Sequence, residues 1–236
     1  DGVLWGAEGV WGADCRALFK APAGRVIVGC DASGLELRML AHYMARHDGG
    51  AYVKVILEGD VHSVNQKAAG LPTRDNAKTF IYGFLYGAGD AKIGEIVGGS
   101  RGKGRALKKK FLSGLPALKA LSEGVQVGAK RGFLRGLDGR ILRVRHKHAA
   151  LNTLLQGAGA ALMKKAAVIL WQTADPKRYD FILNVHDEWQ AEVDEDYAKE
   201  FAGLSEEAIR EAGRQLGLRC PMDGEAKIGN NWMETH

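Results

Sequence analysis

The sequence predicts an α+β fold, with short strands near both ends of the chain and a helical, strongly basic middle. Three observations carry that expectation. β-Branched and aromatic runs stand at RVIVG (Arg25–Gly29) and in FILNVHDEWQAEV (Phe181–Val193), apolar residues at helical spacing fill most of the chain between them, and charge is segregated along the sequence. The composition is globular, 46% hydrophobic and 26% charged over 236 residues. That excludes a disordered or fibrous chain and leaves room for one large domain or two modest ones. The 32 glycines follow no three-residue period and come with only five prolines, which excludes collagen and a proline-rich linker.

Taken in order, RVIVG runs into CDASG and then into LELRMLAHYMARH, whose apolar residues recur at helical spacing. VHSVNQKAAG reads as a short helix. PTRDNAKTFIYGFLYG opens on Pro72 and Thr73, a helix start, and continues with helix spacing. Beyond the basic helices, FLRGLDGRILRVR sets Asp138-Gly139 between two strand-like arms, a hairpin signal. AALNTLLQGAGAALMKKAAVILWQ is long and helical. FILNVHDEWQAEV forms two β-rich arms around a polar centre, and a last amphipathic helix covers about Glu195–Leu216. There is no internal repeat, and GGSRGKGR is the one low-complexity tract.

The net charge of +5 conceals strong segregation. Arg101–His148 holds 14 Lys and Arg against 2 acidic residues, +12, whereas Thr173–His236 holds 7 against 15, −8. The first hundred residues hold 10 against 11. A block of +12 over 48 residues is the footprint of a surface that meets phosphates, with a solvated helix face as the bland alternative. Cys15, Cys30 and Cys220 are an odd number without a CxxC pair, which argues against a disulfide framework or a zinc ribbon and suits a reducing compartment. No run approaches ~18 consecutive apolar residues and no signal peptide opens the chain, so the expectation is a soluble, cytoplasmic protein with no membrane partner. The chain opens on Asp1 rather than methionine, as expected of a fragment, a processed product or one half of a split protein.

Three groups of residues carry chemistry. Asp31 directly follows the RVIVG strand and Glu36 stands five residues later at a helix start. A carboxylate on a strand end is rigidly held and can enter a cleft, as a Mg²⁺ site requires. A helix N-cap aspartate is the competing reading. VHDEW sets Asp187 and Glu188 at the tip of an otherwise apolar hairpin. Paired acids at a tight turn are commonly just turn chemistry, but Val185 and Trp189 imply partial burial, where carboxylates are costly without a metal or a partner. Asp31 and Asp187 lie 156 residues apart; if they meet in space they form a two-metal site for phosphoryl or nucleotidyl transfer. The third group is Arg74, Lys78, Tyr82 and Tyr86. On a helix these share one broad face, Arg74 to Tyr82 spanning about 12 Å and Arg74 to Tyr86 about 18 Å. Two cations at the helix N-terminal end followed by two aromatics match the polarity of a nucleoside triphosphate. An amphipathic helix with two snorkelling cations is the alternative.

DASGLELR resembles motif A of the family A DNA polymerases, the bacterial polymerase I class. TRDNAKTFIYGFLYGAG resembles their motif B and VHDE their motif C, in the family's order. AHYMARHDGG, GLDGR, HAALNTLLQGAGA and the terminal NNWMETH are most similar to the replicative polymerases of short-tailed phages, and the likeness runs from about Cys15 to the C-terminus. The resemblance implies the right-hand polymerase fold, with an antiparallel palm sheet from residues 1–40 and 148–236 and helical fingers from 41–147. It also implies template-directed transfer of deoxynucleotides from dNTPs to a primer 3′-hydroxyl, with two Mg²⁺ ions as cofactors and primer-template DNA as partner.

Residue by residue, the resemblance assigns Asp31 and Asp187 as metal-binding carboxylates, with the Ala32 carbonyl as a third ligand. Arg74 and Lys78 would bind phosphates, Lys78 as proton donor to pyrophosphate, and His62 would lie beside the β-phosphate. Glu36 matches the steric gate against a ribose 2′-hydroxyl. Tyr82 lies against the sugar, where its hydroxyl can stand in for the missing 3′-hydroxyl of a dideoxynucleotide. Tyr86, followed by Gly87, matches the aromatic that stacks at the templating position. Gln156 and His186 match minor-groove readers near the primer end, where every correct pair offers equivalent acceptors. Asn152 and Arg145 join the DNA-binding set, and Glu188 resembles the less critical second acid of motif C. Arg38 is expected in an internal salt bridge, and His146 and His148 in the basic DNA-facing stretch. GAGDAKIG follows a helix rather than a strand and is not read as a phosphate loop.

The family also carries upstream palm strands, a helical thumb that grips duplex DNA and often a 3′–5′ exonuclease, and none of these is expected among these 236 residues. The expectation is therefore the C-terminal part of a split or truncated polymerase, completed by a partner chain carrying thumb and exonuclease. A catalytically silent DNA-binding or assembly subunit is the alternative, and a two-metal nuclease a further one. A nuclease has no need of the Arg74, Lys78 and Tyr82 array.

Overall fold

A short helix, α1 (Gly12–Ala17), precedes the first strand, β1 (Arg25–Ala32), in which Ile27, Val28, Cys30 and Ala32 are buried. The strand runs three residues beyond RVIVG and holds Asp31 inside it, because the pairing on both its sides continues that far. The next helix begins only at Leu35, so Asp31 does not cap it. From there the chain forms α2 (Leu35–Asp48), α3 (Ala51–Glu58), α4 (Val61–Ala69), α5 (Arg74–Leu85), α6 (Asp90–Ile96), α7 (Arg101–Gly114) and α8 (Pro116–Ala129). A hairpin of β2 (Phe133–Arg135) and β3 (Ile141–Arg143) follows, then α9 (Ala150–Thr173), β4 (Tyr179–Val185), β5 (Glu188–Asp194), α10 (Ala198–Gln215), β6 (Gly224–Gly229) and α11 (Trp232–Thr235). The computed structural model describes residues 11–236, so the first ten residues of the 1–40 segment lie outside the described residues.

These elements pack as two units, one of the chain up to Leu35 with Ala160–His236 and the other of Glu36–Gly159. In the first unit the sheet is antiparallel in the order β4-β5-β1-β6. α10 lies on β1 and β6. It buries Ala198, Phe201, Ser205, Ala208, Ile209 and Ala212, spaced three and four apart as one stripe of an amphipathic helix requires. Burial of side chains the size of Phe201 and Ile209 is worth about 1.5–3 kcal/mol each. The far end of the sheet is pinned by Arg25, whose guanidinium reaches Asp180 and Glu192, both at 2.8 Å, and Asp194 at 3.4 Å.

In the second unit α4 packs on both α5 and α7, and α6 on α7. Phe80 and Phe84 of α5 meet Phe111 of α7 edge to face, at 5.0 and 5.3 Å between ring centroids. α5 begins where Thr73 caps it, its hydroxyl oxygen accepting the Asn76 N–H at 3.1 Å. The Asp138-Gly139 signal is a turn between β2 and β3, with Gly139 at φ 83°, where a side chain would be strained. α9 belongs to the second unit up to Gly159 and to the first from Ala160. It is long and apolar enough to cross a membrane by composition, but it buries Leu154, Leu155, Leu162, Ala166 and Leu170 and carries Lys164 and Lys165 near its middle.

Two glycines on helices separate close packing from mere propensity. A Cβ on Gly104 of α7 would lie 2.0 Å from the Asp90 carbonyl oxygen at the start of α6, whereas one on Gly203 of α10 would meet nothing within 4 Å. Gly104→Ala is expected to destabilise by roughly 1–3 kcal/mol through overpacking. Gly203→Ala is expected to stabilise by about 0.5–1 kcal/mol through propensity. Urea denaturation should move the two midpoints in opposite directions; movement the same way would show that α6 and α7 can separate at little cost.

Candidate active site

β1 is the central feature of the acidic site. Its register places Asp31 opposite Glu188 of β5 on one side and Glu225 of β6 on the other. Beyond the last paired residues, the Ala32 N–H donates to the Asp187 carbonyl at 2.9 Å, so the turn bearing Asp187 is hydrogen-bonded to the residue after Asp31. The two carboxylates 156 residues apart in sequence thus stand at one end of one sheet. Asp187 follows His186 in the two-residue loop between β4 and β5, and His186 has φ 55°. A left-handed non-glycine residue costs of order 1–3 kcal/mol and persists only where its surroundings hold it.

Solvent reaches Asp31, yet the sheet strips enough water from its carboxyl to push its pKa up to about 6. Desolvation is the main cause, and the like charges of Asp187 and Glu188 add to it. Such crowding is relieved by a bound cation. Among the described residues no cluster of three or more His, Cys, Asp or Glu stands ready as a ligand set, so a cation here would rely on two carboxylates and backbone oxygen.

Glu188 is not available for that purpose. It is 5% exposed and is held by the Trp232 indole N–H at 2.6 Å, the Gln190 amide at 3.0 Å and His236 Nδ1 at 2.7 Å. Gln190 in turn accepts from the Thr235 hydroxyl at 2.6 Å. Gly29 makes this possible: a Cβ there would fall 2.5 Å from the Gln190 amide nitrogen. The sequence carried little signal for Gly29, Gln190, Trp232, Thr235 or His236. Their one common mark is the polar Gln190 in a strand otherwise buried, which calls for hydrogen-bond partners.

In the second unit, the N-terminal end of α5 meets the start of α4. Asp60 caps α4 by accepting the His62 N–H at 3.1 Å and also takes the Arg74 guanidinium at 2.8 Å. The His62 ring lies 6.4 Å from that of Tyr82, and its Nδ1 is buried without a hydrogen-bond partner. Burial first, and Arg74 second, lower the His62 pKa and keep the ring neutral at pH 7. Lys78 is exposed one turn beyond Arg74, while Ala77, Phe80, Ile81 and Leu85 bury the opposite face. At the far end of α5, the exposed Tyr86 donates its hydroxyl to Glu36 at 3.0 Å, and the Gln156 amide reaches the same Glu36 oxygen at 3.3 Å. Asn152 is half-buried in the first turn of α9, and Arg145 is exposed just before it. His146 and His148 stack, 5.5 Å apart and 13° from parallel.

The fold is that of a polymerase domain. It superposes with a TM-score of 0.83 on the POL domain of Pol1 from M. smegmatis, solved in complex with DNA primer-template and dNTP, over 99% of this chain and 44% of that one at 23% identity. The family model for DNA polymerase family A matches residues 7–234, and the chain belongs to that family. The DNA-directed DNA polymerases of Enterobacteria phage T3 and Escherichia phage T7 are each 46% identical to it over 98% of this chain. DNA polymerase I of Thermus filiformis is 29% identical over 95% of it. The chain spans 37% of the length of the two phage relatives and 29% of the Thermus one.

The crowding at Asp31 has a pH signature. The folded chain titrates this group near 6 against an ordinary 3.8, so between those values it binds a proton that the unfolded chain has lost. Stability from this group therefore falls as pH rises from about 4 to about 6. In magnesium-free buffer Asp31→Asn should be more stable than the parent above about pH 7, with the gap closing below about pH 4. Equal denaturation midpoints across that range would remove the crowding.

Proposed function

We propose that this chain is the catalytic portion of a DNA-directed DNA polymerase, extending a primer 3′-hydroxyl with deoxynucleotides from dNTPs. The observation that carries the reading is the hydrogen bond from Ala32 to Asp187, which joins the two strand-end carboxylates into one site. Asp31 and Asp187, with the Ala32 carbonyl, would hold Mg²⁺. Bound there, the metal would supply positive charge that lowers the pKa of the primer hydroxyl and neutralises the triphosphate.

The chain's own residues have separable tasks in this reading. Arg74 and Lys78, at the N-terminal end of α5, bind the phosphates, and the Lys78 ammonium gives its proton to the leaving pyrophosphate. Neutral His62 lies beside them and donates a hydrogen bond without adding charge. Tyr82 packs on the sugar. Glu36, anchored by Tyr86 and Gln156, blocks a 2′-hydroxyl, and Tyr86 stacks at the templating position. Gln156 and His186 test pair geometry in the minor groove, while Asn152 and Arg145 hold DNA. In hand-like terms residues 1–40 and 148–236 are palm and 41–147 fingers. Duplex grip and proofreading would come from sequence equivalent to the remaining length of the relatives, on this polypeptide or a partner, in the cytoplasm of a host cell.

Primer extension with Mg²⁺, a primer-template and dNTPs tests this. Asp187→Ala is expected to reduce extension by at least about 10³-fold while leaving DNA binding within about twofold, since it removes transition-state charge stabilisation only. Unchanged extension would sink the catalytic reading. If the parent chain extends nothing alone or with a thumb-bearing polymerase fragment, the silent DNA-binding role stands instead. Tyr82→Phe should sharply reduce dideoxynucleotide incorporation relative to deoxynucleotide; an unchanged ratio would remove the role given to its hydroxyl.

A further inference from the structure

A cavity of about 550 Å³ in the second unit is lined by α2, α8, the β2–β3 hairpin and the first turns of α9. None of the residues given a catalytic or DNA-binding role above lines it. Its walls are mainly apolar, with Leu121, Leu134 and Leu154 among them, and its volume is that of a small-molecule site. No Asp or Glu lines it, whereas Arg46, Arg135, His42 and His47 do. Neither arginine forms an ion pair among the described residues, and the nearby Asp138 is engaged by Arg140 at 2.6 Å.

Tyr43 supplies the second observation. It is 8% exposed, lines the cavity, and its hydroxyl is buried with no hydrogen-bond partner. The His42 ring meets that of Tyr43 edge to face at 4.8 Å, giving the cavity aromatic as well as aliphatic wall. Two cationic forks beside flat apolar and aromatic surface select a ligand with a negative end and a planar body.

We propose that this cavity binds a planar organic anion of mononucleotide size. Its phosphate is held by Arg46 and Arg135, and its ring lies against the leucine walls and the Tyr43 ring. A free nucleoside monophosphate and one nucleotide of single-stranded DNA share this chemistry. The site is separate from the carboxylates and from α5, so it stands or falls independently of the polymerase reading.

The test is calorimetric titration of the full chain, without Mg²⁺, with dAMP, with inorganic phosphate and with the tetranucleotide dTTTT. Binding of dAMP should exceed that of phosphate by at least about tenfold, the apolar wall adding to the charge. Arg46→Ala with Arg135→Ala should weaken it about tenfold or more, and Lys199→Ala, at an exposed position of α10, should leave it unchanged. Tyr43→Ala should weaken dAMP binding severalfold by removing aromatic wall. Tighter binding of dTTTT than of dAMP assigns the site to a DNA strand, and the reverse assigns it to a free nucleotide. The proposal is overturned if neither ligand binds or if the paired arginine substitutions change nothing.

Discussion

The pairing of β1 with β5, and its extension by the hydrogen bond from Ala32 to the Asp187 carbonyl, is the constraint on which the acidic site rests. Side chains alternate across a strand, so a slip of one residue would send Asp31 to the opposite face and replace it with Cys30 or Ala32. The register is defended from several directions. Ile27, Val28 and Cys30 are buried, Arg25 is tied to carboxylates on β4 and β5, and Gly29 must face Gln190 because no other residue leaves room for its amide. Hydrophobic burial, ion pairing and one glycine thus fix the same alignment.

That alignment assigns different work to the two acids it pairs, Glu188 and Asp31. Glu188 is buried and hydrogen-bonded by Trp232, Gln190 and His236, so its charge serves to dock α11 against the sheet. Removing any one donor would leave a buried carboxylate short of partners, which is the expensive direction of the exchange. Asp31, in contrast, is exposed to solvent and pressed by like charge, so its ionised form is disfavoured until something positive arrives. Two acids paired across β1 and β5 have therefore diverged, one into a fastener and the other into a crowded, solvent-facing carboxylate, through their surroundings alone.

The parts of this arrangement legible in the sequence are those encoded within a few residues. Thr73 ahead of a 3.6-residue pattern marks the start of α5, Asp138-Gly139 marks the turn between β2 and β3, and the polar centre of VHDEW marks the turn between β4 and β5, although Glu188, expected at its tip, is the first paired residue of β5. The motifs, read by resemblance, pointed to Asp31 and Asp187, but their meeting depends on strand register across the chain and no local pattern encodes it. The same is true of the Glu36, Tyr86 and Gln156 cluster, whose members lie 50 and 120 residues apart. β6, and α11 within the NNWMETH stretch that carries the phage likeness, lack a local pattern that marks them as elements for a different reason. GEAKIG alternates weakly, and Trp232–Thr235 is a single turn whose stability comes from Glu188 and the sheet rather than from its own propensity.

If Arg74 takes the phosphate-binding role proposed for it, its pairing with Asp60 would hold that surface ready without blocking it. With no ligand, Asp60 fixes Arg74 over the start of α4 and keeps it beside His62 and Tyr82. Both partners are substantially exposed, so the pair is screened and holds the guanidinium only weakly. A polyphosphate carries several negative charges against the one of Asp60 and can engage the same guanidinium in a bidentate manner. Exchange of partners then costs little, while the alternative of an unpaired Arg74 would cost rotamer freedom each time a ligand bound. His62 would work in the same direction: kept neutral by burial and by Arg74, it adds nothing to the repulsion among cations when no phosphate is present.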